Sequence, residues 1–297
     1  SDPGAIQANL ALSSNQVTDG YGDHDTLIAV EGIRGSVFGD VIFGNSAANR
    51  LEGEAGQDTI SGGAGDDTIE GGLGDDVLSG GDGIDVVDHR NAHGAISVDL
   101  LAGVSGGAAG VDSLSGFERA SGSAFDDTLR GGAGATLSGG AGHDQFVVAH
   151  ASTVVADLGE GRDGLRIQSG VSYVRTLDRP WTSGGGGRND GQVVIRADGH
   201  DVDLSAVSEG LGWTLTNTDG RAVRLTGSQL GDAITGGAGV DTLSGSGGND
   251  TLDGAGGDDI ALYSGPRERY AITPAGEHYQ IRDLLTHPYL DSTTGAW

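Results

Sequence analysis

The sequence predicts an all-β protein, a parallel β-roll in which short strands coil into a flattened solenoid. A nine-residue pattern, G-G-x-G-x-D-x-U-x with U apolar, recurs in three blocks of the chain, and such a period is typical of parallel β-helices. In addition, 58 of the 297 residues are glycine, far above the usual share of ~7%. Because glycine adopts positive φ without steric cost, turns must recur throughout the chain.

The first block runs from Gly35 to Asp88 as six nonapeptides without an insertion. Each repeat has a polar oxygen-bearing side chain at position six and an aliphatic side chain at position eight. The position-six residues are Asp40, Asn49, Asp58, Asp67, Asp76 and Asp85. The position-eight residues are Ile42, Leu51, Ile60, Ile69, Leu78 and Val87. We expect the aliphatic column to face inward and the polar column to lie in the turns.

The other two blocks differ in regularity. In the second block the position-six residues are Asp127 and Asp144, which lie 17 residues apart because the repeat between them is one residue short. The third block is regular, and its position-six residues are Asp232, Asp241, Asp250 and Asp259. Its expected inward residues are Ile234, Leu243, Leu252 and Ala261.

A second level of repetition surrounds the blocks. The segment 5–40 parallels 95–127, and the match includes Leu27 with Leu114 and Glu31 with Glu118. The first 150 residues therefore contain two tandem copies of one unit. We divide the chain into a first unit with flanking strands and a regular block (1–94, block 35–88), a second, degenerate unit (95–148), a non-repeat β region (149–226), a third block (227–262) and a partial C-terminal β cap (263–297).

The non-repeat region consists of alternating stretches such as STVVADL and GQVVIRADGHDVDL. These predict strands capable of antiparallel pairing. The glycine-rich stretch 178–190 predicts a surface loop or a short hinge. Trp181, Trp213 and Trp297 are candidates for core packing or for platforms that stack on sugars, and packing is the commoner role of an isolated Trp.

Composition excludes several classes of protein. The chain has 43 acidic and 16 basic residues, a formal charge of −27, and no cysteine. Phosphate would be repelled, so a nucleic-acid partner is disfavoured. No disulfide framework or thiolate metal site can form, and no run of about 20 apolar residues predicts a membrane span. Low hydrophobicity and high net charge lie close to the composition of disordered chains, so we expect an external source of stability.

Calcium is the expected source. Two nonapeptides complete one coil, so residues 18 apart stack, with glycine turns presenting carbonyl oxygens and position six adding a carboxylate. Oxygen shells of this kind suit Ca²⁺. We therefore predict several Ca²⁺ ions at Asp40, Asn49, Asp58, Asp67, Asp76, Asp85, Asp127, Asp144, Asp232, Asp241, Asp250 and Asp259. The uncharged Asn49 should weaken its site, and the 17-residue spacing leaves the pairing of Asp127 with Asp144 in doubt.

Folding should depend on the metal. A single inward side chain per nonapeptide does not offset the entropy of ordering nine residues, and unneutralised aspartates repel one another. We expect the blocks to be disordered at micromolar calcium and to fold at millimolar calcium. Asp66, Asp75, Asp126 and Asp258 precede position-six residues and should point outward.

The nonapeptides GGAGDDTIE, GGLGDDVLS and GGAGVDTLS resemble those of the RTX (repeats-in-toxin, haemolysin-type calcium-binding) family. The run DSLSGFERASGSAFDDTL resembles segments that accompany these repeats in large bacterial surface and secreted proteins. The resemblance implies export through the type I secretion machinery and a secreted or extracellular location, with cell-surface association as one form of it. Members include adhesins, surface-layer proteins, cytolysins, proteases, lipases and alginate epimerases, so the repeats do not identify an activity.

No catalytic constellation is present: the chain lacks H-E-x-x-H and G-x-S-x-G, the signatures of zinc proteases and of lipases. We therefore expect no enzyme in this segment, and a catalytic domain elsewhere in a longer parent chain stays open. The preferred function is a structural or adhesive calcium-binding segment of a large extracellular protein. The alternative is a calcium-dependent carrier module of a secreted enzyme or toxin. Cell-surface polysaccharide, bound near residues 175–213, and other copies of the chain are further partners left open.

Overall fold

The computed structural model describes residues 4–159, 161–264, 270–275 and 278–283. These residues form strands, turns and bends, and none of them is helical. The chain divides into two compact parts, Ser1–Ala261 and Leu262–Trp297. The part Ser1–Ala261 is a parallel β-solenoid, which confirms the predicted fold class. No helix within the described ranges is long and apolar enough to cross a membrane.

The first part of the solenoid has two sheets that alternate along the chain. Sheet one contains β1 (Gln7–Asn9), β2 (Val17–Thr18), β3 (His24–Asp25), β5 (Val41–Phe43), β7 (Thr59–Ala64), β9 (Val77–Asp82), β11 (Ile96–Asp99), β12 (Val104–Gly107), β13 (Gly110–Ser115), β15 (Thr128–Gly131), β17 (Gln145–Val148), β19 (Gly164–Ile167), β22 (Arg188–Asn189) and β25 (Glu209–Gly210). Sheet two contains β4 (Gly32–Arg34), β6 (Arg50–Glu52), β8 (Thr68–Glu70), β10 (Val86–Asp88), β14 (Arg119–Ser121), β16 (Thr136–Ser138) and β18 (Val154–Val155).

Two further sheets continue the coil. Sheet three contains β20 (Ser172–Thr176), β23 (Gln192–Arg196), β26 (Thr214–Thr216), β28 (Ala233–Gly237) and β30 (Thr251–Ala255). Sheet four contains β21 (Trp181–Thr182), β24 (Val202–Asp203), β27 (Arg224–Thr226), β29 (Thr242–Ser244) and β31 (Ile260–Ala261). In the part Leu262–Trp297, β32 (Tyr270–Ala275) pairs antiparallel with β33 (His278–Asp283).

The register within the blocks follows the predicted period. Ile42 lies beside Ile60, and Ile60 lies beside Leu78, so residues 18 apart stack along sheet one. Leu51 and Ile69 stack in the same way along sheet two. All six aliphatic residues at position eight of the first block are at most 1% exposed. The core is therefore the narrow space between the two sheets, filled by one side chain from each strand.

Each tandem unit begins with a three-stranded antiparallel meander within sheet one. In the first unit β1 pairs with β2, β2 with β3, and β1 also pairs in parallel with β5. In the second unit β11, β12 and β13 repeat this arrangement, and β11 pairs in parallel with β15. The second meander also joins the preceding coil, because β13 pairs in parallel with β9. The sequence repetition thus corresponds to a repeated structural element.

The antiparallel interpretation of the non-repeat region was wrong. β20 pairs in parallel with β23, and β23 with β26, so this region continues the solenoid. Alternation of polar and apolar residues identifies a strand facing a core but carries no information about the direction of its neighbour. Here the chain returns through the opposite sheet before it forms the next strand, which makes neighbours parallel.

Two local expectations also fail, the surface loop or hinge at 178–190 and the inward orientation of Ala261. The stretch 178–190 is not a surface loop or hinge, because it contributes β21 and β22 and buries Trp181. Trp181 and Trp213 are each 1% exposed and their ring centroids lie 6.0 Å apart, so these two rings pack in the core and cannot stack on a sugar. Trp297 lies outside the described residues. Ala261, expected to face inward, is exposed because it lies in the last coil of the solenoid.

Candidate metal centre

The solenoid forms two turn columns of polar side chains, all of them acidic except Asn49. Turn column one lies where the chain enters sheet one, and turn column two where it enters sheet two. Column one contains Asp40, Asp58, Asp76, Asp112, Asp127, Asp144 and Asp163. Column two contains Glu31, Asn49, Asp67, Asp85 and Glu118. In the third block, Asp232 and Asp250 enter sheet three while Asp241 and Asp259 enter sheet four.

In column one, one oxygen of each carboxylate accepts a backbone hydrogen bond from the neighbouring strand or coil. Oδ1 of Asp58 accepts a hydrogen bond of 2.7 Å from the backbone N–H of Asp40, and Oδ1 of Asp76 accepts one of 2.9 Å from Asp58. The N–H of Asp127 donates to Oδ1 of Asp144 at 2.9 Å. The pairing that the 17-residue spacing left in doubt is therefore formed, because the missing residue is absorbed in the opposite turn.

The other oxygen of several aspartates has no partner. Oδ2 is buried without a hydrogen bond in Asp58, Asp67, Asp76, Asp85 and Asp241. These aspartates are at most 2% exposed. A buried carboxylate oxygen without a partner carries a large free-energy cost. Each of these oxygens therefore needs a cation or a proton.

Glycine at the first position of the repeat leaves room beside the unpartnered oxygen. A Cβ on Gly53 would collide with Oδ2 of Asp58 and with the carbonyl oxygen of Gly71 in the next coil. A Cβ on Gly62 would collide in the same way with Oδ2 of Asp67 and the carbonyl oxygen of Gly80. Carboxylate and carbonyl oxygens from successive coils thus surround one small space. This donor set fits Ca²⁺, which takes carboxylate and backbone carbonyl ligands.

Side chains alone do not complete a site. Within the described ranges no group of three or more His, Cys, Asp or Glu side chains is arranged to hold a metal ion. Backbone carbonyls must therefore provide the remaining ligands. This requirement explains why glycine, which permits close approach of the backbone, occupies the turns.

The pKa values of the column carboxylates show the cost of leaving them unneutralised. Burial, together with the neighbouring carboxylates, raises the pKa of Asp58 and of Asp144 to about 7 in each case, although the hydrogen bond from the preceding coil acts in the opposite direction. Burial likewise raises the pKa of Asp76 to about 6. The pKa values of Asp67 and Asp85 are also raised, mainly by burial. Protons and metal ions should therefore compete for these oxygens near neutral pH.

Three predicted ligands have both oxygens occupied. They belong to the repeats that open a block with Gly-Ser instead of Gly-Gly, and in each the serine N–H and hydroxyl donate to the carboxylate. The pairs are Ser36 with Asp40, Ser123 with Asp127, and Ser228 with Asp232. At the first coil of each block, serine donors therefore occupy the carboxylate oxygen that has no partner in several of the later coils.

Asn49 is also satisfied without a metal. Its Oδ1 accepts from the N–H of Asn45 at 2.8 Å, and its Nδ2 donates to the carbonyl oxygen of Glu31 at 3.1 Å. The amide supplies the donor that a carboxylate lacks. The weaker metal binding expected at this position stays a prediction.

Asp112 and Glu118 were not predicted from the sequence, although they continue the two columns at the junction of the tandem units. Oδ1 of Asp112 accepts from the N–H of Asp76 at 3.1 Å, and Oε2 of Glu118 accepts from the N–H of Asp85 at 2.9 Å. Their spacings of 36 and 33 residues were hidden by the inserted meander. The match of Glu118 with Glu31 in the tandem alignment was the one available signal.

Asp163 was also missed. Its Oδ1 accepts from the N–H of Asp144 at 3.0 Å, and it is 2% exposed. It lies 19 residues after Asp144, in the segment LGEGRDGLR at 158–166, which keeps Gly, Gly, Asp and Leu at positions two, four, six and eight of the repeat. Column one therefore continues into the non-repeat region.

Column two continues into the degenerate block with uncharged side chains. After Glu118 its next turns hold Ala135, which is 5% exposed, and Thr153. The Thr153 hydroxyl donates to the carbonyl oxygen of Gly132 at 2.9 Å. The degenerate block thus has no acidic side chain at these two turns of column two. By contrast, the four outward aspartates Asp66, Asp75, Asp126 and Asp258 are all exposed, as predicted.

Comparison with known families matches these blocks. The model of the RTX calcium-binding nonapeptide repeat matches four times, at residues 34–69, 55–87, 112–146 and 226–261. The chain carries RTX calcium-binding repeats. All twelve predicted ligand positions lie within the matched RTX segments, as do Asp112 and Glu118. RTX repeats are structural calcium-binding modules and are typical of secreted proteins. No curated protein matches the chain.

Proposed function

We propose that this chain is a calcium-dependent structural or adhesive segment of a larger extracellular protein. The observation that carries the proposal is the row of buried, unpartnered Oδ2 atoms of Asp58, Asp67, Asp76, Asp85 and Asp241. Ca²⁺ between successive coils would supply the positive charge that these oxygens lack. The aspartates and the glycine carbonyls hold the ion, while the strands transmit the resulting order to the next coil.

The predicted ligands fall into two groups under this proposal. The five aspartates with unpartnered oxygens are the principal ligands, and Asp144, Asp250 and Asp259 extend them. Asp40, Asn49, Asp127 and Asp232 are secondary, since serine or a neighbouring backbone group already satisfies them. Fewer ions than repeats should therefore bind.

Folding induced by calcium after export follows from the same chemistry. Below the calcium concentration that fills the sites, the columns hold like charges in a chain of net charge −27, and self-repulsion favours the extended state. An unfolded chain suits passage through a type I secretion channel, and the calcium outside the cell would then drive folding. The occurrence of RTX repeats in secreted proteins supports this order of events.

The test compares two variants with equal loss of charge. The first combines Asp58→Asn, Asp67→Asn, Asp76→Asn and Asp85→Asn. The second combines Asp66→Asn, Asp75→Asn, Asp126→Asn and Asp258→Asn, which are exposed positions. Isothermal titration calorimetry with Ca²⁺, and with Mg²⁺ as a control ion, gives the number of ions bound. Circular dichroism follows β-structure during the same titration.

We expect the first variant to bind fewer Ca²⁺ ions and to need more calcium to fold, and the second to resemble the wild type. Equal stoichiometry in both variants would overturn the ligand assignment. Full β-structure of the wild type in excess chelator would overturn calcium-induced folding while leaving the ligand assignment to the calorimetric result.

A further inference from the structure

The N-terminal end of the solenoid presents an open strand edge in both sheets. β3 is the last strand of sheet one, and β4 is the last strand of sheet two. We call residues 23–34 the N-terminal edge. It contains exposed apolar side chains, with Ile28 at 84% and Val30 at 37% exposure. Open strand edges are natural sites of further pairing.

The second tandem unit shows the equivalent edge in use. Residues 110–121 correspond to residues 23–34 with an offset of 87. There β13 pairs in parallel with β9, and β14 pairs in parallel with β10. A complete coil, one strand from each sheet, is thus seated on the meander. In the first unit, residues 26–28, which correspond to the paired part of β13, are not strand.

Two carboxylates of the second unit accept hydrogen bonds from this coil. Asp112 and Glu118 accept the backbone N–H groups of Asp76 and Asp85, the turn residues of that coil. The backbone also contributes, because the N–H of Ser113 donates to the carbonyl oxygen of Asp76 at 2.8 Å. The carboxylates of the second meander therefore pair with turn N–H groups that would otherwise be unpaired at the last coil of the first block.

The first unit carries the same receiving groups. Asp25 corresponds to Asp112, and Glu31 corresponds to Glu118. Towards the following coil, the backbone carbonyl oxygen of Glu31 accepts a hydrogen bond of 3.0 Å from the N–H of Arg50. The backbone carbonyl oxygen of Glu118 accepts one from the N–H of Thr136 in the same way. On the opposite side both carboxylates of the first unit are exposed. Within the described ranges neither of them accepts a hydrogen bond.

Burial shows the same difference between the two edges. Leu114 is 8% and Ala120 is 1% exposed, whereas their counterparts Leu27 and Ile33 are only half-buried. Asp112 is 2% exposed, whereas Asp25 is exposed. The apolar column of the first unit therefore ends in side chains that one more coil would cover.

We propose that the N-terminal edge is the docking site of the terminal coil of another RTX block, placed upstream in the same polypeptide. That coil stacks on residues 23–34 as β9 and β10 stack on residues 110–121. Its two turn N–H groups donate to Asp25 and Glu31, and its inward side chains cover Leu27 and Ile33. Location in the same polypeptide follows from the junction already present, where a short connection of residues 89–95 joins the coil to the meander.

The test duplicates the first unit. Residues 5–94 are placed directly ahead of residues 5–297, which preserves the natural connection because Ala5 corresponds to Ala95. The outer copy carries Ile28→Val so that its peptides differ in mass from those of the inner copy. Hydrogen exchange measured by mass spectrometry in millimolar calcium then compares the inner and outer edges within one molecule.

We expect the amides of residues 25–34 to exchange about tenfold or more slowly in the inner copy than in the outer copy. Asp25→Asn with Glu31→Gln in the inner copy should remove most of this protection, while Asp82→Asn with Asp258→Asn, at exposed positions, should leave it unchanged. Equal exchange of the two edges would overturn the proposal. Protection of the edge in the unduplicated chain that grows with protein concentration would assign it to a second copy and would also overturn it.

Discussion

Replacing Asp67 by Asn should change stability in opposite directions with and without calcium. Oδ1 of Asp67 accepts from the N–H of Asn49 at 2.7 Å, while its Oδ2 is buried without a partner. Asparagine preserves the acceptor and the shape but removes the charge. Asp66 is exposed and adjacent, so Asp66→Asn makes the same chemical change outside the column.

The magnitude follows from the affinity of extracellular calcium modules. At about 10 mM calcium, a site with a dissociation constant of about 0.1–1 mM stabilises the folded state by ~1.4–2.7 kcal/mol. Loss of one ion should therefore reduce the free energy of unfolding by that amount. Without calcium the sign reverses, because burial raises the pKa of Asp67 and its ionised form destabilises the folded state at neutral pH.

Urea unfolding at pH 7, followed by the fluorescence of the buried Trp181 and Trp213, measures both effects. The calcium-free series contains trimethylamine N-oxide, which favours the compact state. Asp66→Asn should follow the wild type in both series. Equal stabilities of the two variants in calcium would refute the reasoning, as would a loss for Asp67→Asn that is the same in both series.

Three further outcomes are expected. In chelator, lowering the pH from about 8 to about 4 should raise the midpoint of urea unfolding. The pKa values of Asp58 and Asp144 are about 7 in the folded protein against 3.8 ordinarily, so protonation favours the folded state. A midpoint that falls with pH would contradict this. Ile60→Ala, at 1% exposure, should cost ~2–5 kcal/mol in calcium, whereas Val77→Ala, at 53% exposure, should cost less than about 0.5 kcal/mol; similar urea midpoints would count against the two-sheet core. Burial lowers the pKa of His89 from its ordinary 6.5, so the unfolded chain binds a proton at this residue more readily than the folded protein does. The calcium-loaded protein should therefore lose thermal stability as the pH falls below 6.5, and His89→Gln should remove part of this loss. A variant with the pH profile of the wild type would exclude His89 as the source.

The repeat register could be predicted because position and chemistry recur together. Ile42, Ile60 and Leu78 are 18 residues apart and stack as expected, since a fixed coil length brings equal positions into contact. The non-repeat region could not be assigned in the same way. Its strands were recognised from alternation, but their parallel order depends on the preceding coil that templates them.

The stacked columns of carboxylates were predicted in outline, but the serine partners at the first coil of each block and the carboxylates outside the regular repeats were missed. The Gly-Ser openings looked like minor variants of Gly-Gly, yet Ser36 satisfies Asp40 through both its N–H and its hydroxyl. Asp112 and Glu118 were missed because an inserted meander changes their sequence spacing while preserving their position in the stack. Spatial period, and not sequence period, determines which carboxylates meet.

The meander of β11, β12 and β13 lengthens only one face of the solenoid. Between β9 and β15, sheet one contains three strands, whereas between β10 and β16 sheet two contains β14 alone. At about 4.8 Å per strand, one side gains roughly 10 Å over the other. Each unit is therefore a wedge, and a chain assembled from many such units would form an arc whose curvature is set by how often the wedge occurs.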